Sequence, residues 1–482
     1  MSNTKRLSLG AKISYALGAV GKDMVYMLSA TYILYYYQDI MGVSAVAMGV
    51  ILLAARIFDA FNDPVMGVIV AKTKTRWGKF RPWLMIGTLT NAAILILMFC
   101  APPSLDPAGM TAYAAIAYIL WGVTYTMLDI PYWSMIPAFT DTGKERENLT
   151  TLARSAAGVG SAIIMVITVI AVQALGKMSG ASEAKEIEIV GFRWFTIIVA
   201  ALFIVFTVLT CVNVKERSTA EMKTVSVGQM FKALIKNDQA LIVVVAIVLI
   251  NCAIYITSNL VIYFFKYDFG GEGWYNSYTL FNMFGGAMQV LSMMLFYPLL
   301  RRWLSNTKIF YVALISAIVG YAVLLGLTFT NMNNVFILFV PAFLIFSASG
   351  IMNILTTVFL ANTVDYGYVK NKRRDESVIF SMQTFVVKLA SGIAAFAASI
   401  CLQLNQLSSE ATTEAEQTMD MSLAVPESAK LGLRMTMAVI PIIGLVIAIF
   451  WFRFKYKLND KKLEEINEKI KEMQVDEDDK KD

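Results

Sequence analysis

The chain has 482 residues, of which 57% are hydrophobic and only 16% charged; ordinary soluble domains carry roughly 25% charged residues, and this deficit excludes a soluble enzyme. The formal net charge is +6, and its basic residues sit between apolar runs rather than along one stripe or domain. Nucleic acid is therefore excluded as a partner, and the lipid bilayer is expected instead.

Apolar runs recur from end to end, each long enough to cross a hydrocarbon core roughly 30 Å thick. Hydropathy predicts twelve helical spans, in chain order 11–37, 44–71, 82–102, 111–138, 148–176, 191–214, 240–266, 277–300, 306–329, 334–360, 377–405 and 429–456. The first run outlasts a signal peptide and holds Lys22 and Asp23 inside it, so it is expected to stay in the protein.

Most Lys and Arg residues fall on one side: the N-terminus, Lys72 to Arg81, Lys144 to Arg146, Lys215 to Lys236, Arg301 to Lys308, Lys370 to Arg374 and the tail. By the positive-inside rule that side is cytoplasmic, which puts both termini inside a plasma (inner) membrane. The opposite loops hold few bases, among them Lys177, Lys185 and Lys266, together with the acidic stretch Ser408 to Glu427. Span count and the polar link after the sixth span predict an all-α membrane protein of twelve transmembrane helices in two six-helix bundles, the major facilitator architecture. The expected parts are an N-terminal bundle 1–214, a cytoplasmic middle loop 215–239, a C-terminal bundle 240–456 and a cytoplasmic tail 457–482. Helical spacing of Met230, Phe231, Leu234 and Ile235 in the link, and of Leu463, Ile466, Ile470 and Met473 in the tail, predicts two amphipathic helices at the membrane face.

Cys100, Cys211, Cys252 and Cys401 lie in apolar runs without paired spacing, so neither a disulfide framework nor a zinc site is expected. Histidine is absent. Carboxylates must then carry whatever ion chemistry exists, because the usual residue for proton relay near neutral pH is missing.

An ionised side chain at mid-membrane costs roughly 2.5 to 3.5 kcal/mol, so each needs a partner, a wet cavity or a function. The apolar runs hold Lys22 and Asp23 in span one, Arg56, Asp59 and Asp63 in span two, Asp129 in span four, Arg154 in span five and Lys388 in span eleven. Four acids balance four bases. Residues three and four apart share a helix face, so Asp59, Asn62 and Asp63 form an oxygen-rich stripe of the kind hard cations prefer. Two close carboxylates also favour holding a proton. Thr126, Asp129 and Trp133 form a second stripe, in which a carboxylate accepts from sugar hydroxyls and an indole covers an apolar sugar face. Against these stand blander roles: ion pairing to Arg56, interhelical salt bridges, an interfacial belt position for Trp133, and close helix packing at Gly18 to Gly21 and Gly158 to Ser161.

GKD at Gly21 to Asp23, ARIFDAFNDPVMG at Ala55 to Gly67, RWGKFRPW at Arg76 to Trp83, ILWGVTYTMLDIPYW at Ile119 to Trp133, and VDYGYVK with DESVIFSMQTFVVK across Val364 to Lys388 resemble the glycoside-pentoside-hexuronide:cation symporters, most nearly the melibiose permeases. The resemblance implies a sugar site at Lys22, Asp23, Asp129, Trp133 and Arg154. It also implies a monovalent-cation site at Asp59, Asn62, Asp63 and Thr126, with Gln383, Lys388 and Arg56 in coupling or supporting roles.

The function expected is secondary active symport of a sugar or glycoside, such as melibiose or another galactoside, with Na⁺ first and H⁺ or Li⁺ as substitutes, and with no cofactor. Other readings are a lysolipid carrier of related fold and a symporter for pentosides or hexuronides. The dense polar cluster argues against the lysolipid carrier. A membrane-embedded hydrolase lacks a nucleophile motif and a catalytic loop, and a sugar sensor would need a signalling domain larger than the tail of about 26 residues.

Overall fold

The computed structural model describes residues 7–139, 144–216, 227–271, 273–330, 334–371, 376–407, 421–423 and 425–478. Within the sequence readings above, link positions 217–226, the acidic positions 408–420, and Lys372 to Asp375 lie outside the described residues, as do the side chains of Lys144 to Arg146, Met230 and Met473.

Among the described residues the secondary structure is helical, apart from one isolated bridge between Thr75 and Gly78. The first half holds α1 (Leu9–Tyr35), α2 (Ala45–Lys72), α3 (Arg81–Phe99), α4 (Pro107–Ser134), the single turn α5 (Ile136–Phe139), α6 (Lys144–Met178) and α7 (Ala184–Asn213). The link helix α8 (Val227–Lys236) precedes α9 (Asp238–Phe264), α10 (Trp274–Leu291), the short α11 (Tyr297–Arg301), α12 (Asn306–Leu327), α13 (Phe339–Asn371), α14 (Glu376–Leu404), α15 (Glu427–Lys455) and the tail helix α16 (Asp460–Asp478). Eleven helices among the described residues are long and apolar enough to cross a membrane. The twelfth span is α1, whose 27 residues reach about 40 Å at 1.5 Å per residue but whose hydropathy is lowered by Lys12, Lys22 and Asp23.

The tenth predicted span ends at 360, whereas α13 runs to Asn371. Its polar end is held in helix by Tyr366 and Lys370, which donate to Asp238 at 3.1 and 2.5 Å. Two π-helical turns, Tyr36–Ile40 and Phe265–Phe269, likewise carry the first and seventh spans past their predicted ends.

Packing divides the chain into two units. The first comprises Met1–Thr224, Phe265–Thr279 and Ser399–Pro426; the second comprises Val225–Phe264, Leu280–Ala398 and Glu427–Asp482. In the first, α1 packs on α6 and α7, and α4 packs on α2 and α3. Small residues allow close approach: a Cβ on Gly160 of α6 would stand 2.3 Å from the Val20 carbonyl oxygen of α1, and one on Gly191 of α7 2.0 Å from that of Val172 of α6, on which α7 also packs. The rings of Tyr15 and Tyr132 stack at 4.5 Å, and each hydroxyl donates to the other residue's carbonyl oxygen. Tyr132 lies in the last turn of α4, where carbonyls lack helical partners, so Tyr15 supplies the missing donor.

The loop before α3 is held by one acid. The Glu216 carboxylate accepts from the backbone N–H groups of Lys79, Phe80 and Arg81 at 2.7, 3.0 and 3.1 Å. Arg81 in turn donates to the Cys211 carbonyl at 3.2 Å. RWGKFRPW is thereby clamped to the end of α7, with a carboxylate at the positive end of α3.

Four further charged side chains are buried among the described residues of the first unit, Asp39, Glu188, Lys266 and Asp268, beyond the four acids and four bases read from the sequence. Lys266, expected in a loop, is 5% exposed and donates to Asp39 at 2.6 Å, with Glu188 at 3.5 Å. Tyr35 donates to Glu188 at 2.7 Å and accepts from Lys266 at 2.8 Å, while Tyr267 donates to Asp39. Breaking a buried ion cluster by removing one partner leaves an uncompensated charge. Lys266→Met is expected to destabilise the protein by about 3–5 kcal/mol, and adding Asp39→Asn with Glu188→Gln to recover much of that loss. Thermal unfolding in detergent checks this; an unchanged midpoint for the single variant contradicts it.

In the second unit α9 packs on α15, and α12 packs on α13 and α15. The two amphipathic helices form, but only in part as drawn. Leu234 in α8 is 6% exposed, while Phe231 and Ile235 are exposed. In α16, Ile466 is 3% exposed, and the helix lies along α13.

Candidate functional site

The polar residues predicted from the first half come together on α1, α2, α4 and α6 as two adjoining clusters. The first centres on Lys22, which is 3% exposed and sits half-way along α1. Its ammonium donates to Asp23 at 2.9 Å, to Asp129 at 2.7 Å and to the Tyr125 hydroxyl at 2.9 Å. All three ammonium protons thereby have acceptors, which offsets the desolvation of a buried charge.

Four residues beyond Asp129 on α4, Trp133 donates its indole N–H to the same Asp129 oxygen at 3.1 Å. The Arg154 guanidinium of α6 lies 3.8 Å from the centre of a Trp133 ring, and Lys22 lies 5.2 Å from it. Trp133 is therefore tied into the cluster, which displaces the membrane-belt reading. Asp23 and Asp129 keep 21% and 25% of their side chains exposed, and Arg154 is exposed. The cluster thus presents two carboxylates, a guanidinium and an aromatic face to an incoming molecule. Carboxylates accept from hydroxyls, guanidinium donates to them, and the indole covers apolar C–H surface.

The second cluster joins α2 to α4. Asp59, 5% exposed, accepts from Arg56 at 3.1 Å. One turn on, Asp63 accepts from the Thr126 hydroxyl at 2.9 Å. Gly122 stands one turn before Thr126, and a Cβ there would come 2.9 Å from the Asp59 Oδ1 atom. The turn Asp59–Asp63 on α2 therefore faces the turn Gly122–Thr126 on α4, with Asn62 between the two acids in sequence and its side-chain amide nitrogen buried without a hydrogen-bond partner. Carboxylate, hydroxyl and amide oxygens are the donor set for a hard cation such as Na⁺.

The approach is tight enough that Gly122→Ala would displace the Asp59 carboxylate.

Gln383 and Lys388 belong to the second unit, on α14, where Gln383 donates to Thr357 at 3.1 Å. Sequence reasoning passed over Tyr125, Gly122, Glu216 and the Asp39, Glu188 and Lys266 cluster. Tyr125 and Gly122 lie inside the quoted span-four motif, and their spacing of four and seven residues from Asp129 was the available signal.

Residues 14–460 match the model of the MFS/sugar transport protein family. The uncharacterized symporter YjmB of Bacillus subtilis (strain 168) is 28% identical over 95% of this chain and 94% of its own length. The isoprimeverose transporter of Lactiplantibacillus pentosus is 28% identical over 79% of this chain and 77% of its own. The lactose permease of Lactobacillus helveticus is 26% identical over 95% and 71%. Among solved structures, a bacterial homolog of the human lysosomal transporter Spinster superposes with a TM-score of 0.62 at 14% identity, covering 94% of this chain and 98% of that one. The nucleoside transporter NupG gives 0.60 at 16%, covering 92% and 100%. The family match and these transporter relatives define a multi-pass membrane transporter rather than an enzyme. The chain belongs to the MFS/sugar transport protein family.

Proposed function

We propose that the protein is a cation-coupled sugar symporter of the melibiose-permease type, in a plasma (inner) membrane with both termini cytoplasmic. Na⁺ is the favoured co-substrate, with H⁺ or Li⁺ as substitutes, and the sugar is a galactoside such as melibiose or a related glycoside. The halves 1–214 and 240–456 move as the two bundles of an alternating-access carrier.

The observation that carries this reading is the contiguity of the two clusters on α4. Thr126, bonded to Asp63, stands three residues from Asp129, bonded to Lys22 and Trp133. A cation bound among Asp59, Asn62, Asp63 and Thr126 is one helical turn from a sugar held by Lys22, Asp23, Asp129, Trp133 and Arg154. Gln383, Lys388 and Arg56 support the coupling. A cation cancels charge on the Asp59 and Asp63 pair and fixes the α2–α4 contact beside the sugar cluster. By linkage, bound sugar tightens the cation by the same factor.

Calorimetric titration of the purified protein with a panel of galactosides, xylosides and uronides tests the reading. It is repeated with Na⁺, with Li⁺, at low pH without either, and at high pH without either as the cation-free reference. Tighter binding of one glycoside class in the presence of one of these cations than in the reference supports the proposal. Sugar affinity equal under all four conditions would overturn it.

A further inference from the structure

We propose that Tyr26, a residue outside both clusters, is the positioning residue that transmits cation occupancy to the sugar site; the inference rests on the coupling proposed above.

Tyr26 lies on α1 one turn beyond Lys22 and is half-buried. Its ring sits between the two clusters. On one side the Arg56 guanidinium is 5.9 Å from its centre, and equally 5.9 Å from that of Tyr118. On the other side the Tyr26 ring is 5.3 Å from that of Tyr125, the tyrosine whose hydroxyl accepts from Lys22. Tyr118, Trp121 and Tyr125 form a stacked ladder along α4, with centroid separations of 5.6 and 5.3 Å, and Tyr26 also packs on Trp121 at 6.2 Å. An unbroken series of contacts thus runs from Asp59 through Arg56, Tyr26 and Tyr125 to Lys22 and its two carboxylates.

Coupling through Tyr26 turns on where the buried Arg56 charge is stabilised. Without a cation, Arg56 is neutralised by Asp59 at 3.1 Å. A cation that engages Asp59 weakens that pair, and the guanidinium, 5% exposed, has no water to turn to. Its remaining stabilisation is the faces of Tyr26 and Tyr118, an attraction that strengthens when the cation is desolvated. The Tyr26 ring is drawn onto Arg56 and fixed there. Because Tyr26 packs on Tyr125, the Tyr125 hydroxyl is fixed in turn, and with it the Lys22 ammonium that orients Asp23 and Asp129. A ring in contact with both sites is the physical element through which each can bias the other.

A competing route exists along α4 itself, from Thr126 to Asp129. The two routes are separated by Tyr26→Leu, which keeps bulk but removes the π face, and Tyr26→Phe, which keeps the face and removes the hydroxyl. Tyr26→Met replaces the leucine variant should that one not purify. The quantity to measure is the factor by which saturating Na⁺ changes the dissociation constant of a glycoside bound by the wild type, and the reciprocal factor for Na⁺. Coupling of this kind typically amounts to about 5–150-fold. The expected result is that Tyr26→Leu brings both factors to within about twofold of one, leaves each ligand's affinity in the absence of the other within about threefold of wild type, and that Tyr26→Phe restores the coupling.

Wild-type coupling that survives intact in Tyr26→Leu overturns the inference and assigns the transmission to α4. A phenylalanine variant as uncoupled as the leucine one also overturns it, because the hydroxyl and not the ring face would then act. If the wild type shows no coupling between any glycoside and any cation, the functional reading itself falls and takes this inference with it.

Discussion

Asp59→Asn is expected to abolish cation-driven sugar accumulation while leaving sugar binding largely in place. The carboxylate at 59 pairs with Arg56 at 3.1 Å, and in the proposed symport it also serves the incoming cation. An amide offers one oxygen and no net charge to either. Two unit charges 4 Å apart interact by about 4 kcal/mol at an effective dielectric constant of 20, so cation affinity should fall by about three orders of magnitude. The proposed sugar cluster keeps its own bonds, because Lys22 holds Asp23 and Asp129 and Trp133 holds Asp129. Sugar affinity should then stop responding to Na⁺ and, because the neutral amide releases Arg56 onto Tyr26 as a bound cation would, sit near the cation-saturated value of the wild type. Titration of the variant with and without cation gives the result; gradient-driven accumulation retained by Asp59→Asn would remove residue 59 from the ion site.

The second large effect is expected from Asp129→Asn. One oxygen of Asp129 takes both the Lys22 ammonium and the Trp133 indole N–H, so the carboxylate fixes two other members of the site. Asparagine loses the charge that holds Lys22 and replaces one acceptor by a donor. Each hydrogen bond from a sugar hydroxyl to the charged group is worth about 1.5–3 kcal/mol, and its loss alone weakens sugar binding by about 10- to 100-fold. Loosening Trp133, on which Arg154 stacks, adds to this. Cation affinity measured without sugar should change little, since Thr126 and Asp63 keep their bond. Unchanged glycoside affinity would exclude Asp129 from the sugar site. The two variants thus separate: one loses the response to cation, the other loses the sugar.

Much of this architecture is legible in the sequence because lipid imposes a simple rule. Every backbone group in a span must be paired within its own helix, so apolar runs of about 20 residues read directly as helices. The charges inside those runs, Lys22, Asp23, Asp59, Asp63 and Asp129, stand out against their surroundings, and spacing alone places Asp59 and Asp63 on one face. The same rule hides charges at span ends. Asp39 and Glu188 lie where a span meets its loop, and Lys266 falls at the predicted end of span seven, so all three read as solvated. Only their burial together behind Tyr35 and Tyr267 shows otherwise. Glu216 is obscured by distance in sequence, standing 135 or more residues from the amides that it caps. Tyr26 and Tyr125 are obscured by their type. Aromatic residues are common in membrane helices, and a ring's role depends on what lies against each face, which periodicity does not encode.

In the proposed symport, a cation bound between α2 and α4 drives a sugar bound one turn away. The most direct test is accumulation of a radiolabelled glycoside in proteoliposomes holding only this protein, with an inward gradient imposed for Na⁺, Li⁺ or H⁺ in turn. Uphill accumulation with one of these gradients, collapsing when an ionophore dissipates it, is the expected result. Sugar equilibration that proceeds identically with and without every gradient would contradict the claim.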